Sequence, residues 1–487
     1  MIRVGLFASF ISSFLIWLPS VAADETSMDQ IKRIVVIYAE NRSFDNLYGL
    51  FPGANGIADA LANYIPQVDH DGTPFSVLPP VWASEQDLRS RQTDGTYPPT
   101  LSNRPFRIDE HPISKPLDVK TRDVVHRFYQ NREQINGGKN DRFAAMSNAG
   151  ALAMGYYDGS RLPMWAIARE FTLADNFFMG AFGGSFLNHF WLVCACTPEF
   201  RNAPSDMVTG EDASGRLARH KDSPDSAMEG PVLLQDGAVT PAGYAVNTVQ
   251  PPYQPSAIAP AAGGDPSLAD PDNHHQLPPQ TRKTIGDALS EKGVSWAWYA
   301  GAWNQALADR SIIYDVKQAN FQPHHQPFNY FARYAPGSAD RAKHLRDGED
   351  FLKDVDSGAL PQVSFYKPTA NWNEHPGYTD VMSGDAHIAD VIARIRNNPA
   401  LWAGIAIIVT YDENGGFWDH VAPPVGDYWG PGTRVPTIIV SPFARKGAVD
   451  HTAYDTTSIL KFVTRRFGLE PLPGVRKNAG DLTNAFE

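Results

Sequence analysis

Short runs of apolar and β-branched residues recur along the chain, and such runs are typical of strands buried on both faces of a parallel sheet. The predicted strands are residues 34–39, 171–178, 294–299, 360–367, 405–410 and 435–440. Helical periodicity or capping signals predict helices at residues 123–129, 163–170, 284–292, 379–397 and 454–467, with another beginning at Ser185. The two matching strand ends lie near opposite termini, which favours one large α/β domain over residues 24–487.

Charged and amide side chains come directly after two of these strands. Residues 405–410 lead into Asp412 and Glu413, after which two glycines let the backbone turn tightly. Residues 34–39 lead into Glu40 and Asn41. Ligands of open α/β sheets bind beyond the carboxyl ends of the strands, and buried carboxylates need a compensating partner. We therefore predict that these four side chains form one divalent cation site, since hard cations prefer oxygen ligands. A solvated acidic turn is the simpler alternative.

Ser185 follows two glycines and opens a long apolar helix. A hydroxyl at a helix start lies at the positive end of the helix dipole, and a bound metal would make it a nucleophile near neutral pH. An ordinary N-cap serine is the simpler interpretation of the spacing alone.

Several histidines occupy positions from which they can enter a cleft. His324 and His325 stand together between prolines, and His375 follows a predicted strand. His126 falls on a predicted amphipathic helix, where a structural histidine is the commoner case. Asp385, in the first turns of the 379–397 helix, is expected at the surface.

Residues 1–23 have a basic start and an apolar middle, and they end in small residues suited to signal-peptidase cleavage. They predict a secretory signal, with an uncleaved anchor as the alternative. No later segment of the sequence is long and apolar enough to span a bilayer. We therefore expect a periplasmic or secreted protein without stable membrane insertion.

Composition narrows the range of partners. The net charge of −12 argues against nucleic acid, which requires a basic face. An anionic substrate then needs a locally positive site, which a metal supplies. Residues from about 200 to 280 are dense in Pro, Ala, Ser, Asp and Gly and predict a loop-rich surface insertion or lid. Cys194 and Cys196 are one residue apart, so buried thiols and a labile disulfide are both open.

Oxygen ligands at strand ends, a serine at a helix start and loop histidines together fit phosphoryl transfer, which needs charge neutralisation and an in-line nucleophile. The sequence contains no Walker A or G-x-G-x-x-G loop and no G-x-S-x-G nucleophile elbow. These absences disfavour a nucleotide fold and an α/β-hydrolase.

Several segments resemble a bacterial phosphoesterase family that includes respiratory-burst-inhibiting acid phosphatases and phospholipases C. They are IVVIYAENRSFDNLYG, NGGKNDRF, GGSFLNH, HHQPFNYF, NEHP and AIIVTYDENGGFWDHVAPP, in the family's order. The resemblance implies an alkaline-phosphatase-like fold, in which helices sandwich a central mixed, mostly parallel sheet. The sulfatase nucleophile pattern is not found at Ser185, which disfavours a sulfatase.

The resemblance also implies a role for each matching residue. One divalent ion of unknown identity would be bound by Glu40, Asn41, Ser185, Asp412 and Glu413. Ser185 would be the nucleophile and would form a phosphoseryl intermediate. His325 and His375 would hold the phosphate, His126 and His324 would be further site histidines, and Asn188 would orient the substrate. Asp419 and His420 are weaker candidates.

The predicted activity is metal-dependent hydrolysis of phosphate monoesters, as in an acid phosphatase of broad substrate range. We expect this because the chain ends soon after the last predicted helix, without the C-terminal modules of the family's larger haemolytic members. Small phosphorylated compounds are the expected substrates. The alternative is a phospholipase C acting on phosphatidylcholine-type diesters, for which Trp296, Trp298, Trp303 and Trp372 could form an aromatic cage. A metal-stabilised binding protein without catalysis is a further alternative.

Overall fold

Eight strands form one sheet in the computed structural model, which describes residues 27–487. Numbered along the chain, they are β1 (Arg33–Ala39), β2 (Thr172–Ala174), β3 (Trp296–Ala300), β4 (Leu345–Asp347), β5 (Val363–Lys367), β6 (Ile405–Tyr411), β7 (Thr437–Val440) and β8 (Ala448–Asp450). Their order across the sheet is β8-β2-β7-β6-β1-β5-β3-β4. Only β7 runs antiparallel to its neighbours, which confirms the mixed, mostly parallel sheet.

The most apolar strands occupy the centre of this sheet. In β1 every residue after Arg33 is buried, and every residue of β6 is buried. The parallel register pairs Ala39 with Tyr411, so both strands end at the same level. This alignment brings the side chains that follow β1 and β6 to one place on the sheet edge.

Helices pack against the sheet and against one another. In the described part of the chain the α-helices are Ser27–Gln30, Phe44–Tyr48, Ile57–Ala62, Phe128–Ile135, Pro163–Glu170, Ser185–Cys194, Ile285–Glu291, Trp303–Ala308, Ala339–His344, Gly348–Ser357, Val381–Arg396, Pro399–Trp402 and Thr456–Phe467. Two-stranded pairs join Phe106–Arg107 to Gly155–Tyr156 and Phe177–Phe178 to Tyr454–Asp455.

Two predictions about local structure are wrong. His126 is not on a helix: it lies in a segment without regular secondary structure, and the helix begins at Phe128 with Arg127 as its N-cap. Asp385 is not at the surface, because it is fully buried and accepts a hydrogen bond from the Met164 backbone N–H at 2.8 Å.

The predicted insertion consists mostly of loops and turns. Between residues 200 and 280 the only helical segment is the 3₁₀ turn Ser205–Met207. Val246, Asn247 and Thr248 from this stretch line the main cleft, while a lid function remains a prediction. Cys194 and Cys196 are joined as a disulfide.

The predicted signal segment, residues 1–23, lies outside the described residues. Within residues 27–487, no helix combines the length and apolar character needed to cross a membrane.

Candidate active site

The ends of β1 and β6 bring the four predicted metal ligands together. Glu40, Asn41, Asp412 and Glu413 are at most 1% exposed, and the Asn41 backbone N–H donates to Asp412 Oδ1 at 3.2 Å. Gly415, at φ +61°, must be glycine because a Cβ there would lie 2.2 Å from the Asn41 carbonyl oxygen. The tight turn after β6 therefore packs directly on the turn after β1.

The side chain of Asn41 links the serine to His375 and lies next to His126. Ser185 Oγ donates to Asn41 Oδ1 at 3.4 Å. On the other side, Asn41 Nδ2 lies 3.0 Å from His375 Nε2 and 3.4 Å from His126 Nε2. These contacts place the amide oxygen toward the serine and the amide nitrogen toward the histidines.

Ser185 is the first residue of its helix and not the N-cap, a position that Gly184 takes. The loop before it is held by Asn188, whose side chain accepts from the Ala181 N–H and donates to the carbonyls of Ala181, Gly183 and Gly184. Asn188 is fully buried and does not line the cleft. These contacts favour positioning of the serine loop; the predicted contact of Asn188 with substrate remains a prediction.

The remaining predicted histidines lie around Glu40. His325 Nε2 contacts Glu40 Oε1, and His375 Nε2 lies 4.0 Å from Glu40 Oε2. Burial lowers the pKa of His325 to about 4, although the charge of Glu40 opposes this shift. Burial also lowers the pKa of His375 and, strongly, that of His324. All three imidazoles are therefore neutral near pH 7 in the absence of other ligands.

His126 differs from the other site histidines in its charge. Burial alone would lower its pKa, but the nearby Glu413 and Asp123 carboxylates raise it to about 9. Its Nδ1 contacts the Val124 carbonyl oxygen at 2.6 Å, and its Nε2 lies 3.9 Å from Glu413 Oε1. His126 is thus a cation that faces the ligand group.

The carboxylates of the site differ strongly from one another. Burial opposes ionisation of Glu40, but the contact from His325 and the charge of Lys367 outweigh it and hold the pKa of Glu40 well below its ordinary value. Burial raises the pKa of Asp412 to about 6 and that of Glu413 well above its usual range. A buried carboxylate with a raised pKa lacks a sufficient counter-charge.

Unpartnered buried atoms test whether these residues fit a cation. Glu413 Oε1 makes no hydrogen bond, whereas Glu40 Oε1 is in contact with Lys367 Nζ at 2.7 Å and with His325 Nε2. Buried oxygens normally have partners. Carboxylate, amide and hydroxyl oxygens also form a donor set suited to a hard divalent ion. The residues therefore fit the predicted metal.

Sequence reasoning missed three residues of the site. Lys367 ends β5 beside the carboxylates, and His189, one turn along the serine helix, stacks on His325 at a centroid distance of 5.4 Å. Asp123 lies with His126 and His375 as a group whose ligand atoms are within 4.8 Å of one another, a spacing that could hold a cation. A charged residue at the end of a buried strand is a signal that could have identified Lys367.

A cleft of about 450 Å³ opens onto this group. Glu40, Ser185 and the four predicted histidines line it, and Glu85, Asp123, Tyr314 and Tyr378 are also in its wall. None of the four tryptophans suggested for an aromatic cage lines the cleft. Three are buried in the core, while Trp372 is 46% exposed and stacks on His387.

Asp419 and His420 belong to a separate ion network. Arg434 Nε donates to Asp419 Oδ1 at 3.0 Å, and Arg434 Nη2 donates to Asp45 Oδ1 at 3.1 Å. His420 Nδ1 contacts Asp45 Oδ2 at 2.7 Å. The three acid and histidine side chains have the spacing of a cation site, but arginine already supplies the counter-charge.

Sequence comparisons with known proteins agree with the resemblance to the phosphoesterase family. The phosphoesterase family profile matches residues 31–470. Phospholipase C B of Mycobacterium tuberculosis (strain ATCC 25618 / H37Rv) is 26% identical, over 94% of this chain and 78% of the relative. Non-hemolytic phospholipase C of Burkholderia pseudomallei (strain K96243) is 25% identical, over 94% and 59% respectively. A solved structure in the alkaline phosphatase superfamily, from Vibrio parahaemolyticus, has a TM-score of 0.33 and 9% identity, covering 77% of this chain and 75% of that one.

Proposed function

This chain belongs to the phosphoesterase family and is a hydrolase acting on phosphoester bonds; we propose that it cleaves phosphate monoesters with Ser185 as the nucleophile. The observation that carries the proposal is the position of the Ser185 hydroxyl. It lines the cleft at a helix start, is 7% exposed and donates to Asn41 beside the buried carboxylates. A nucleophile must be reachable by substrate and close to groups that activate it.

Glu40, Asn41, Asp412, Glu413 and the Ser185 hydroxyl would hold one divalent ion. When bound, such an ion offsets phosphate charge and lowers the pKa of a hydroxyl. Ser185 Oγ attacks phosphorus, the ester oxygen leaves, and a phosphoseryl enzyme forms that water then hydrolyses. His126 is suited to protonate the leaving oxygen because it lines the cleft and lies 3.5 Å from the Asp123 carboxylate, which favours its charged form. The neutral His324, His325 and His375 can hydrogen-bond the phosphate oxygens.

The test is hydrolysis of p-nitrophenyl phosphate by purified wild-type protein and by Ser185→Ala, with and without chelator. We expect the variant to lose about 10³-fold or more in kcat, and a phosphorylated Ser185 peptide to be trapped by acid quench of the wild type. Ser160→Ala, at an exposed serine, is the matched control and should keep full activity. Full activity of Ser185→Ala would overturn the assignment.

A choline-type phosphodiester is the second candidate, favoured by the wall of the cleft. Glu85 and Asp123 stand there with Tyr314 and Tyr378, whereas Arg127, also in the wall, is ion-paired with Asp236. Acids and aromatic faces attract a quaternary ammonium group. The relatives named phospholipase C favour the same candidate.

Two diesters separate this candidate from the monoesterase. p-Nitrophenyl phosphorylcholine carries the ammonium group, and its 3,3-dimethylbutyl analogue has the same shape without the charge. If the wall recognises choline, Glu85→Gln should raise KM for the charged diester and leave KM for the neutral one unchanged. Equal KM values for the two diesters in the wild type would exclude recognition of the cation.

A further inference from the structure

Lys367 is the last residue of β5 and is fully buried beside the predicted metal ligands. Its Nζ lies 2.7 Å from Glu40 Oε1 and 3.5 Å from Asp412 Oδ2. The strand register pairs Ile37 with Tyr366, so Lys367 follows at the level of Tyr38. The Tyr38 ring lies 5.2 Å from the ammonium nitrogen. The lysine therefore has a defined place between two carboxylates.

No other lysine or arginine in the described chain lies as close to these carboxylates. Among residues 27–487, Lys367 is the one lysine or arginine with a side-chain nitrogen within 4 Å of Glu40, Asp412 or Glu413. The other basic groups at that distance from these carboxylates are histidines. Lys367 thus supplies the permanent positive charge for Glu40 and Asp412.

We infer that Lys367 shares Glu40 and Asp412 with the divalent ion and holds the ligand set together when the ion is absent. This inference rests on the proposed metal site. Three buried carboxylates repel one another, and an uncompensated buried charge strongly destabilises a fold. With Lys367 in place, part of that charge is balanced before metal binds. Lys367 is in this sense a positioning residue for the ligands.

The test compares the unfolding temperature of the wild type, Lys367→Met and Lys353→Met in chelator and in excess Mg²⁺, Ca²⁺, Mn²⁺ or Zn²⁺, each added alone. Lys353 has a mostly exposed side chain on the helix Gly348–Ser357 and is the matched control. We expect Lys367→Met to lower Tm mainly in chelator. The metal-induced rise in Tm should then be about twofold larger than in the wild type or more. The reason is that a metal ion that binds only the folded state replaces the positive charge of the lysine. Lys353→Met should follow the wild type.

Each outcome decides a separate point. A metal-induced rise in Lys367→Met equal to or smaller than that of the wild type overturns the inference alone. Absence of any rise in the wild type overturns the metal site and this inference together. If Lys367→Met does not fold, Lys367→Arg is compared with Lys367→Gln in chelator. Folding of the charged variant alone supports the inference, whereas equal behaviour of the two variants overturns it.

Discussion

Replacement of Arg434 by Met should destabilise the fold without removing the chemistry. The guanidinium is fully buried, and its nitrogens reach both Asp419 oxygens, Asp45 Oδ1 and the carbonyls of Asn55 and Asp175, all at 2.7–3.2 Å. Methionine keeps much of the volume but leaves two buried carboxylates without their main counter-charge.

The magnitude follows from burial and chain length. Removing one partner of a buried ion pair costs about 3–5 kcal/mol, because the other charge remains in a place without water. With an unfolding entropy of about 2.1 cal/mol/K per residue, a chain of 487 residues has about 1 kcal/mol/K in total. The expected loss in Tm is therefore about 3–5 °C.

The assay is calorimetric unfolding at pH 8, with Arg465→Met as the matched control. Arg465 pairs with Asp481 at 2.6 Å, but its side chain is 58% exposed, and an exposed pair contributes only about 0–1 kcal/mol. A Tm within 1 °C of wild type for Arg434→Met would refute the reasoning. Loss of activity by folded Arg434→Met on the scale expected for Ser185→Ala would show instead that the network takes part in catalysis.

Three further predictions concern the serine loop and the buried acids. Asn188→Ala should lower kcat about tenfold or more at nearly unchanged KM, since the loop that presents Ser185 loses the hydrogen bonds that hold it. A change in KM as large as the change in kcat would contradict this. Gly183→Ala should lower both Tm and kcat, because φ is +89° there and a Cβ would lie 2.4 Å from the Phe128 nitrogen; wild-type values for both would contradict it. Burial raises the pKa of Asp385 to about 7, so the contribution of Asp385 to wild-type stability should fall as pH rises from about 4 to 7. The Tm of Asp385→Asn relative to wild type should accordingly increase across that range, and a constant difference would refute the shift.

The convergence of the predicted ligands could be anticipated from the sequence because its signal is local. Glu40 and Asp412 each follow a buried apolar strand directly, and parallel strands bring their carboxyl ends to one edge. Lys367 carries the same signal at the end of β5, yet a single lysine after a strand is common and does not indicate a partner. Its role depends on the strand order, which places β5 beside β1.

The two local errors have different causes. The start of the helix after His126 depends on contacts from distant parts of the chain: the N–H of its first residue, Phe128, donates to Asn247 Oδ1, 119 residues away. No local pattern contains that partner. The burial of Asp385 could be predicted from the sequence, because residue 385 falls between Val381 and Ile388 on the apolar face of its helix. The helical periodicity predicts burial of residue 385, whereas the charge of an aspartate alone favours the surface.

Two groups of buried acids near the ends of β1 and β6 differ in how completely their oxygens are paired. Arg434 donates to Asp45 and to both oxygens of Asp419, so this pair is balanced within the protein. At the other group, Glu413 Oε1 makes no hydrogen bond, and Lys367 pairs only with Glu40 and Asp412. A buried carboxylate whose oxygens all have partners leaves no free ligand atom, whereas a buried oxygen without a partner can accept one. The difference in saturation, rather than the number of acids, therefore supports a structural role for the first group and the proposed metal binding for the second.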